Sequence, residues 1–211
     1  MSTLYNNHDS IEKQECREKI IRFVEKLHEK KKNLRILTLP STNFYLEEVL
    51  SNIPGVVIEC VEREKDIYEK QLKIIQGRKL NINLKNQDIF EYIKESNTKF
   101  DLIWLDLCGP FNKSIISNFI SLIQTGDNLH SQSYIVLTIL GKREQQGPDI
   151  IKFYGCKNLK EFRESKFPKL VGEMSDNTCT LQDLYQYPSG RMHTPMIQYS
   201  FINNFKNQLN D

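Results

Sequence analysis

The chain is 211 residues long, which suits one domain with an N-terminal elaboration and is enough to bury a proper core. Its 29 Lys plus Arg stand against 27 Asp plus Glu, and a net charge of +2 is too small to name a polyanionic partner, so any nucleic-acid contact has to rest on a local patch. Residues 1–10 are polar and no later window approaches the roughly 18 apolar residues of a membrane helix, so neither secretion nor a membrane contact is expected and a cytoplasmic location is. Five cysteines (Cys16, Cys60, Cys108, Cys156, Cys179) are dispersed, with no C-x-x-C pair and no His at ligand spacing. That pattern argues against a disulfide framework or a structural metal and suits a reducing compartment.

From Ser10 to about Lys32 the pattern is helical, with Cys16, Ile20, Phe23 and Leu27 sharing one face. This face predicts a helix packed on a sheet or on a partner subunit, which would make a homodimer through the N-terminal helix. Lys30, Lys31 and Lys32, with Lys26 and Arg35, form a basic cluster that is either a solvated helix end or a phosphate-binding patch. A strand over Leu34 to Leu39 follows, then turn and N-cap residues Pro40, Ser41, Thr42 and Asn43, then a helix marked by Leu46, Val49, Leu50 and Ile53. Strand two, Val56 to Val61, ends on Glu62, and a helix runs from about Asp66 to Gln76. Strand three, Leu80 to Leu84, leads to Asp88, with a short helix over Ile89 to Glu95.

The segment Phe100 to Phe111, F-D-L-I-W-L-D-L-C-G-P-F, is a fourth strand that stops on Asp106 and is expected to turn at Gly109-Pro110. Ile116, Phe119, Ile120 and Ile123 mark the next helix, and Tyr134 to Leu140 a fifth strand. Strands alternating with helices at this spacing predict βαβ units: an α/β fold with a mostly parallel twisted sheet and helices on both faces. In such a sheet ligands bind outside the carboxyl ends of the strands, so Asp106 is either a working carboxylate or a solvated strand cap.

Beyond strand five, Gly141 to Lys169 carries Lys142, Arg143, Lys152, Lys157, Lys160, Arg163, Lys166 and Lys169 against Glu144, Asp149, Glu161 and Glu164, with Phe153, Tyr154, Phe162 and Phe167 interleaved. The segment reads as a nucleic-acid-facing surface over Lys142 to Lys169, or as helices with aromatics inward and lysines in water. The chain closes with Leu184 to Tyr187, a turn at Pro188-Ser189-Gly190, and Met196 to Ile202, an antiparallel hairpin.

Five parallel strands, acids at the ends of strands two, three and four, and a closing hairpin together resemble the class I S-adenosylmethionine-dependent methyltransferases, a Rossmann-like family. The resemblance covers Leu34 to Ile202 and divides the chain into an N-terminal helical extension (1–33) and a methyltransferase-like domain (34–211) with a basic insert at about 142–170. It implies S-adenosylmethionine as cofactor. Glu62 would accept from both ribose hydroxyls, Asp88 and Ile89 would flank the adenine, and Asp106 would be the catalytic residue beside the methyl donor. Cys108, Gly109, Pro110 and Phe111 would then contact substrate. Their sequence is similar in character to the acid, prolines and aromatic of amino-methylating nucleic-acid enzymes, with altered spacing. Cys108 is read either as a thiolate that attacks a pyrimidine or as a buried free cysteine.

The chain departs from the family at its first loop, which is normally glycine-rich so that cofactor can approach the backbone. Here it reads Leu39-Pro40-Ser41-Thr42-Asn43-Phe44. Pro40, Ser41, Thr42 and Asn43 would have to bind the cofactor, with hydroxyl, amide and helix N-terminal donors for its methionine carboxylate. The glycine-free loop keeps a second reading open, a non-catalytic methyltransferase-like protein that binds nucleic acid or a protein partner. A nicotinamide dehydrogenase is disfavoured, because G-x-G-x-x-G is absent.

Overall fold

The computed structural model describes residues 11–41, 43–141, 147–189 and 194–204, with the side chains of residues 108, 188–189 and 194–195 outside that description. The elements run α1 (Ile11–Lys30), β1 (Leu34–Thr38), α2 (Tyr45–Ser51), β2 (Val56–Val61), α3 (Lys65–Arg78), β3 (Ile82–Lys85), α4 (Ile89–Glu95), β4 (Phe100–Pro110), α5 (Lys113–Thr125) and β5 (Leu129–Leu140). Then come α6 (Gly147–Tyr154), α7 (Leu159–Glu161), a π turn over Phe162–Lys166, α8 (Phe167–Met174), β6 (Cys179–Ser189) and β7 (Thr194–Asn203). Seven strands make one sheet in the order β3-β2-β1-β4-β5-β7-β6. The first five are parallel, while β7 runs antiparallel between β5 and β6.

Strand alternation divides the core into two layers. Ile36, Ile58, Leu102, Trp104 and Val136 face one side, where Ile20 and Val24 of α1, Leu46 and Leu50 of α2 and Ile75 of α3 cover them. Leu37, Ile103, Leu105, Ile135 and Leu137 face the other, under Ile93 of α4, Ile116 and Phe119 of α5, and Phe162, Phe167 and Val171. A period of two in every strand therefore puts helices on both faces, as parallel strands with buried faces require. The π turn matters here because its five-residue spacing, closed by Phe167 N–H donating to the Phe162 carbonyl, brings both rings to the core side. Among the described residues no helix is long and apolar enough to cross a membrane.

The apolar face of α1 is used within the chain: Cys16, Ile20 and Val24 are buried and Phe23 stacks on Tyr134 at 4.2 Å. The basic cluster at its end is partly spent on structure, since Lys31 Nζ donates to Asp101 Oδ1 at 2.6 Å and Arg35 lies 3.6 Å from Glu59. Three local expectations are corrected. β4 does not turn at Gly109-Pro110 but continues to Pro110, its register against β5 slipping between Asp106↔Thr138 and Pro110↔Leu140, so that a bulge absorbs the extra residues. β5 starts at Leu129, ahead of its apolar run, because the Ser133 hydroxyl lies 2.7 Å from the Phe100 carbonyl and 2.6 Å from the His130 carbonyl, donating its one proton to one of them, and holds a polar stretch in the sheet. Pro188 and Ser189 belong to β6 opposite Pro195 and Thr194, since an edge strand tolerates a residue with no N–H; Gly190 lies outside the described residues.

Candidate active site

β1 pairs with β2 on one side and β4 on the other, and this reversal of strand order opens a crevice at the carboxyl ends. A cavity of about 530 Å³ occupies it. Its floor and walls come from the ends of β1 to β4, the starts of α4 and α5, and one residue of α1.

The β1 end contributes Leu39, Pro40 and Ser41. No glycine makes the turn into α2. Instead Phe44 takes the left-handed conformation at φ 54°, donates its N–H to the Ser41 carbonyl at 3.2 Å, and is fully buried. A bulky residue at positive φ costs on the order of 1–2 kcal/mol, and burial of the ring offsets it. Behind the loop, Gln71 of α3 donates to the Pro40 carbonyl at 3.2 Å, and Thr38 Oγ1 donates to Glu47 Oε1 at 2.6 Å. Glu47 is buried, and that burial raises its pKa although Thr38 and Arg17 pull the other way.

Glu62 stands just past β2. Its N–H donates to Lys85, its carbonyl accepts from Gln87 N–H at 3.2 Å, and its Oε1 accepts from Glu64 N–H at 2.8 Å. Asp88 caps α4, Oδ1 accepting from the N–H groups of Phe90 (2.9 Å) and Glu91 (3.4 Å), and Ile89 beside it is buried. Asp106, near the end of β4, is 11% exposed and lies 3.4 Å from Lys13 Nζ of α1. On the far wall Asn112 caps α5 by accepting from Ile115 N–H at 2.8 Å, with Ser114 and Asn118 beyond it.

Eight residues expected at the site line this one cavity: Pro40, Ser41, Glu62, Asp88, Ile89, Asp106, Gly109 and Pro110. Two do not. Asn43 turns toward the helices, donating to Tyr45 Oη at 3.1 Å while its carbonyl accepts from Arg78. Phe111 is a core residue, its ring 4.9 Å from Phe167 and 5.6 Å from Phe162, because the β4 bulge returns it to the buried face. Thr42 and the Cys108 side chain lie outside the described residues. Lys13, Gln87, Asn112, Ser114 and Asn118 also line the cavity and are new. Asn112 was readable as an N-cap before the Ile116 stripe. Lys13 carried no such signal.

The described cysteines Cys16, Cys60 and Cys179 are buried and Cys156 half-buried, all as free thiols, and burial pushes Cys16 and Cys179 up to about 12. No group of three or more His, Cys, Asp or Glu among the described residues is disposed to hold a metal ion.

No protein-family model matches the sequence, and no curated protein matches it. Solved structures do. A candidate methylase, HI0767 from Haemophilus influenzae, superposes with a TM-score of 0.58 over 89% of this chain and 88% of that one at 15% identity. The N-methyltransferase NodS from Bradyrhizobium japonicum WM9 gives 0.55 over 92% and 97% at 12% identity. A candidate methyltransferase, SMU.776, solved in complex with S-adenosylhomocysteine, gives 0.54 over 80% of this chain and 45% of that one at 15% identity. The fold is that of the class I methyltransferases. This chain carries acids just past β2 and β3 and near the end of β4, and builds its first loop without glycine.

Proposed function

We propose that the protein is an S-adenosylmethionine-dependent methyltransferase acting on nucleic acid. The observation that carries this reading is the convergence of Glu62, Asp88 and Asp106 on one cavity at the switch point of the sheet. Its volume of about 530 Å³ lies within the roughly 300–1,000 Å³ of small-molecule sites. Glu62 suits a vicinal diol, because a carboxylate that accepts one backbone N–H keeps lone pairs for two hydroxyl donors. Asp88 and Ile89 pair an acceptor with an apolar surface, which suits an aminated aromatic base. The bound cofactor would supply an electrophilic methyl group on sulfonium. Asp106 would accept a hydrogen bond from the acceptor's N–H or O–H and hold its lone pair in line with that methyl, so the protein's part is positioning and exclusion of water.

Support for a nucleic-acid acceptor comes from the cavity mouth. Lys113, between the lining residues Asn112 and Ser114, stands with its Nζ 5.9 Å from the ring centre of Phe153. Phe153 is 71% exposed, and Lys152, Lys157 and Lys160 are exposed nearby in sequence. An exposed ring among cations suits base stacking with phosphate contact. Phe162 and Phe167 are buried and take no part in it.

A second reading, a non-catalytic binding protein of the same fold, is favoured by the glycine-free first loop. Calorimetric titration with S-adenosylmethionine and S-adenosylhomocysteine separates the two. Binding followed by transfer of a labelled methyl group to RNA or DNA, weakened by salt and by Phe153→Ala, is expected. Absence of cofactor binding overturns the enzymatic reading, and methylation of protein alone overturns the acceptor.

A further inference from the structure

The amino-acid end of S-adenosylmethionine carries a carboxylate, and a site that binds it needs donors or a cation there. Backbone N–H groups at a helix start are the common solution. Among the described residues, the first loop and α2 offer little of the kind beyond Ser41, which lines the cavity. Pro40 has no N–H, Phe44 N–H is already given to the Ser41 carbonyl, and α2 is only seven residues long with Glu47 and Glu48 in its first turn. Acidic side chains at that end do not attract an anion.

The described cavity contains two cations, and they stand apart by role. Arg63 adjoins Glu62 and lies 3.2 Å from Glu64, an exposed pair at the proposed ribose end. Lys13 lies at the Asp106 end, its Nζ 3.4 Å from Asp106 Oδ2. Lys13 is only 26% exposed, and the helix that carries it is held by several contacts. Cys16 one turn on is buried against Tyr187 and Met196, Lys19 Nζ donates to Asp183 at 2.9 Å, and Tyr185 Oη donates to Glu15 at 3.0 Å. A cation fixed in this way is delivered to the cavity by α1 and the C-terminal hairpin, not by the first loop.

We propose that Lys13 of α1 is the anchor for the cofactor's carboxylate, a task for which the described residues of the glycine-free loop offer few donors. This rests on the cofactor reading above. Asp106 positions the Lys13 ammonium, which forms a charge-assisted hydrogen bond to the carboxylate. The cofactor's adenosine is then held by β2 and β3, and its amino-acid end by the N-terminal helix.

The test is titration of wild type, Lys13→Ala and Lys13→Arg with S-adenosylhomocysteine and with 5′-methylthioadenosine, which keeps the nucleoside and thioether and lacks the carboxylate. Lys13→Ala should weaken S-adenosylhomocysteine about ten-fold to a hundred-fold, the range of one hydrogen bond to a charged group, and leave 5′-methylthioadenosine within two-fold or so. Lys13→Arg should recover most of the loss. Equal weakening of both ligands makes Lys13 a structural residue and overturns the proposal, as does an unchanged S-adenosylhomocysteine affinity in a folded variant. Wild type that binds neither ligand overturns the cofactor reading itself, and the anchor with it.

Discussion

The two halves of the sheet are built from different materials. Around β1 to β4 the strand ends carry Glu62, Asp88 and Asp106 over a cavity, and the helices behind are seated by aliphatic side chains. Around β5 to β7 the packing is aromatic: Phe111, Phe119, Phe162, Phe167, Tyr199 and Phe201 form a continuous set of tilted and edge-on contacts, with centroids 4.9 Å apart for Phe111–Phe167 and 5.1 Å for Phe167–Tyr199. The difference teaches where rigidity is needed. A chemical site tolerates polar groups only where a well-packed neighbour holds its walls, and α5, whose first residues line the cavity, is seated on the aromatic half by Phe119.

If that division holds, substitutions in the aromatic half cost stability and those at the strand ends cost function. Phe167→Ala should have the largest effect on folding, about 3–5 kcal/mol of stability in a denaturant melt, because the ring touches five others in the core. Asp106→Ala should melt close to wild type, keep cofactor affinity within a few-fold, and lower single-turnover methyl transfer by about a hundred-fold or more. Equal turnover in the two proteins would return Asp106 to the role of a strand cap. Glu62→Ala should weaken cofactor by about 1.5–3 kcal/mol in calorimetry, ten-fold to a hundred-fold, with little change in melting.

The smallest effect sharpens the boundary between the halves. Burial raises the pKa of Glu47 in the folded state above the usual carboxylate value of about 4.3, so its contribution to stability is fully present below that value. It is lost as pH rises through the higher folded value. Glu47→Gln, which still can accept from Thr38, should remove that part of the pH dependence in melts taken from acid to neutral pH. A variant that follows the wild-type profile would show that another group sets it.

Much of this was legible in the residues. Short apolar runs set between helical patterns named five strands, and the acids at their ends named Glu62, Asp88 and Asp106, because a short apolar strand announces both its course and its stop. Proline and glycine misled: Gly109-Pro110 sits in a strand that bulges, and Pro188 in an edge strand, where neighbours and not local preference decide.

What the sequence by itself determined is the order of elements, the two-faced burial of the sheet and the acids at the strand ends, since each depends on spacing along the chain. Only the tertiary structure decided that Phe111 belongs to the core, that Phe44 turns the first loop at positive φ, that Asn43 faces away, and that Lys13 reaches Asp106. Each of these depends on what a distant segment brings alongside. Lys13 and Asp106 are far apart in sequence, and no local pattern records that α1 lies across the end of β4.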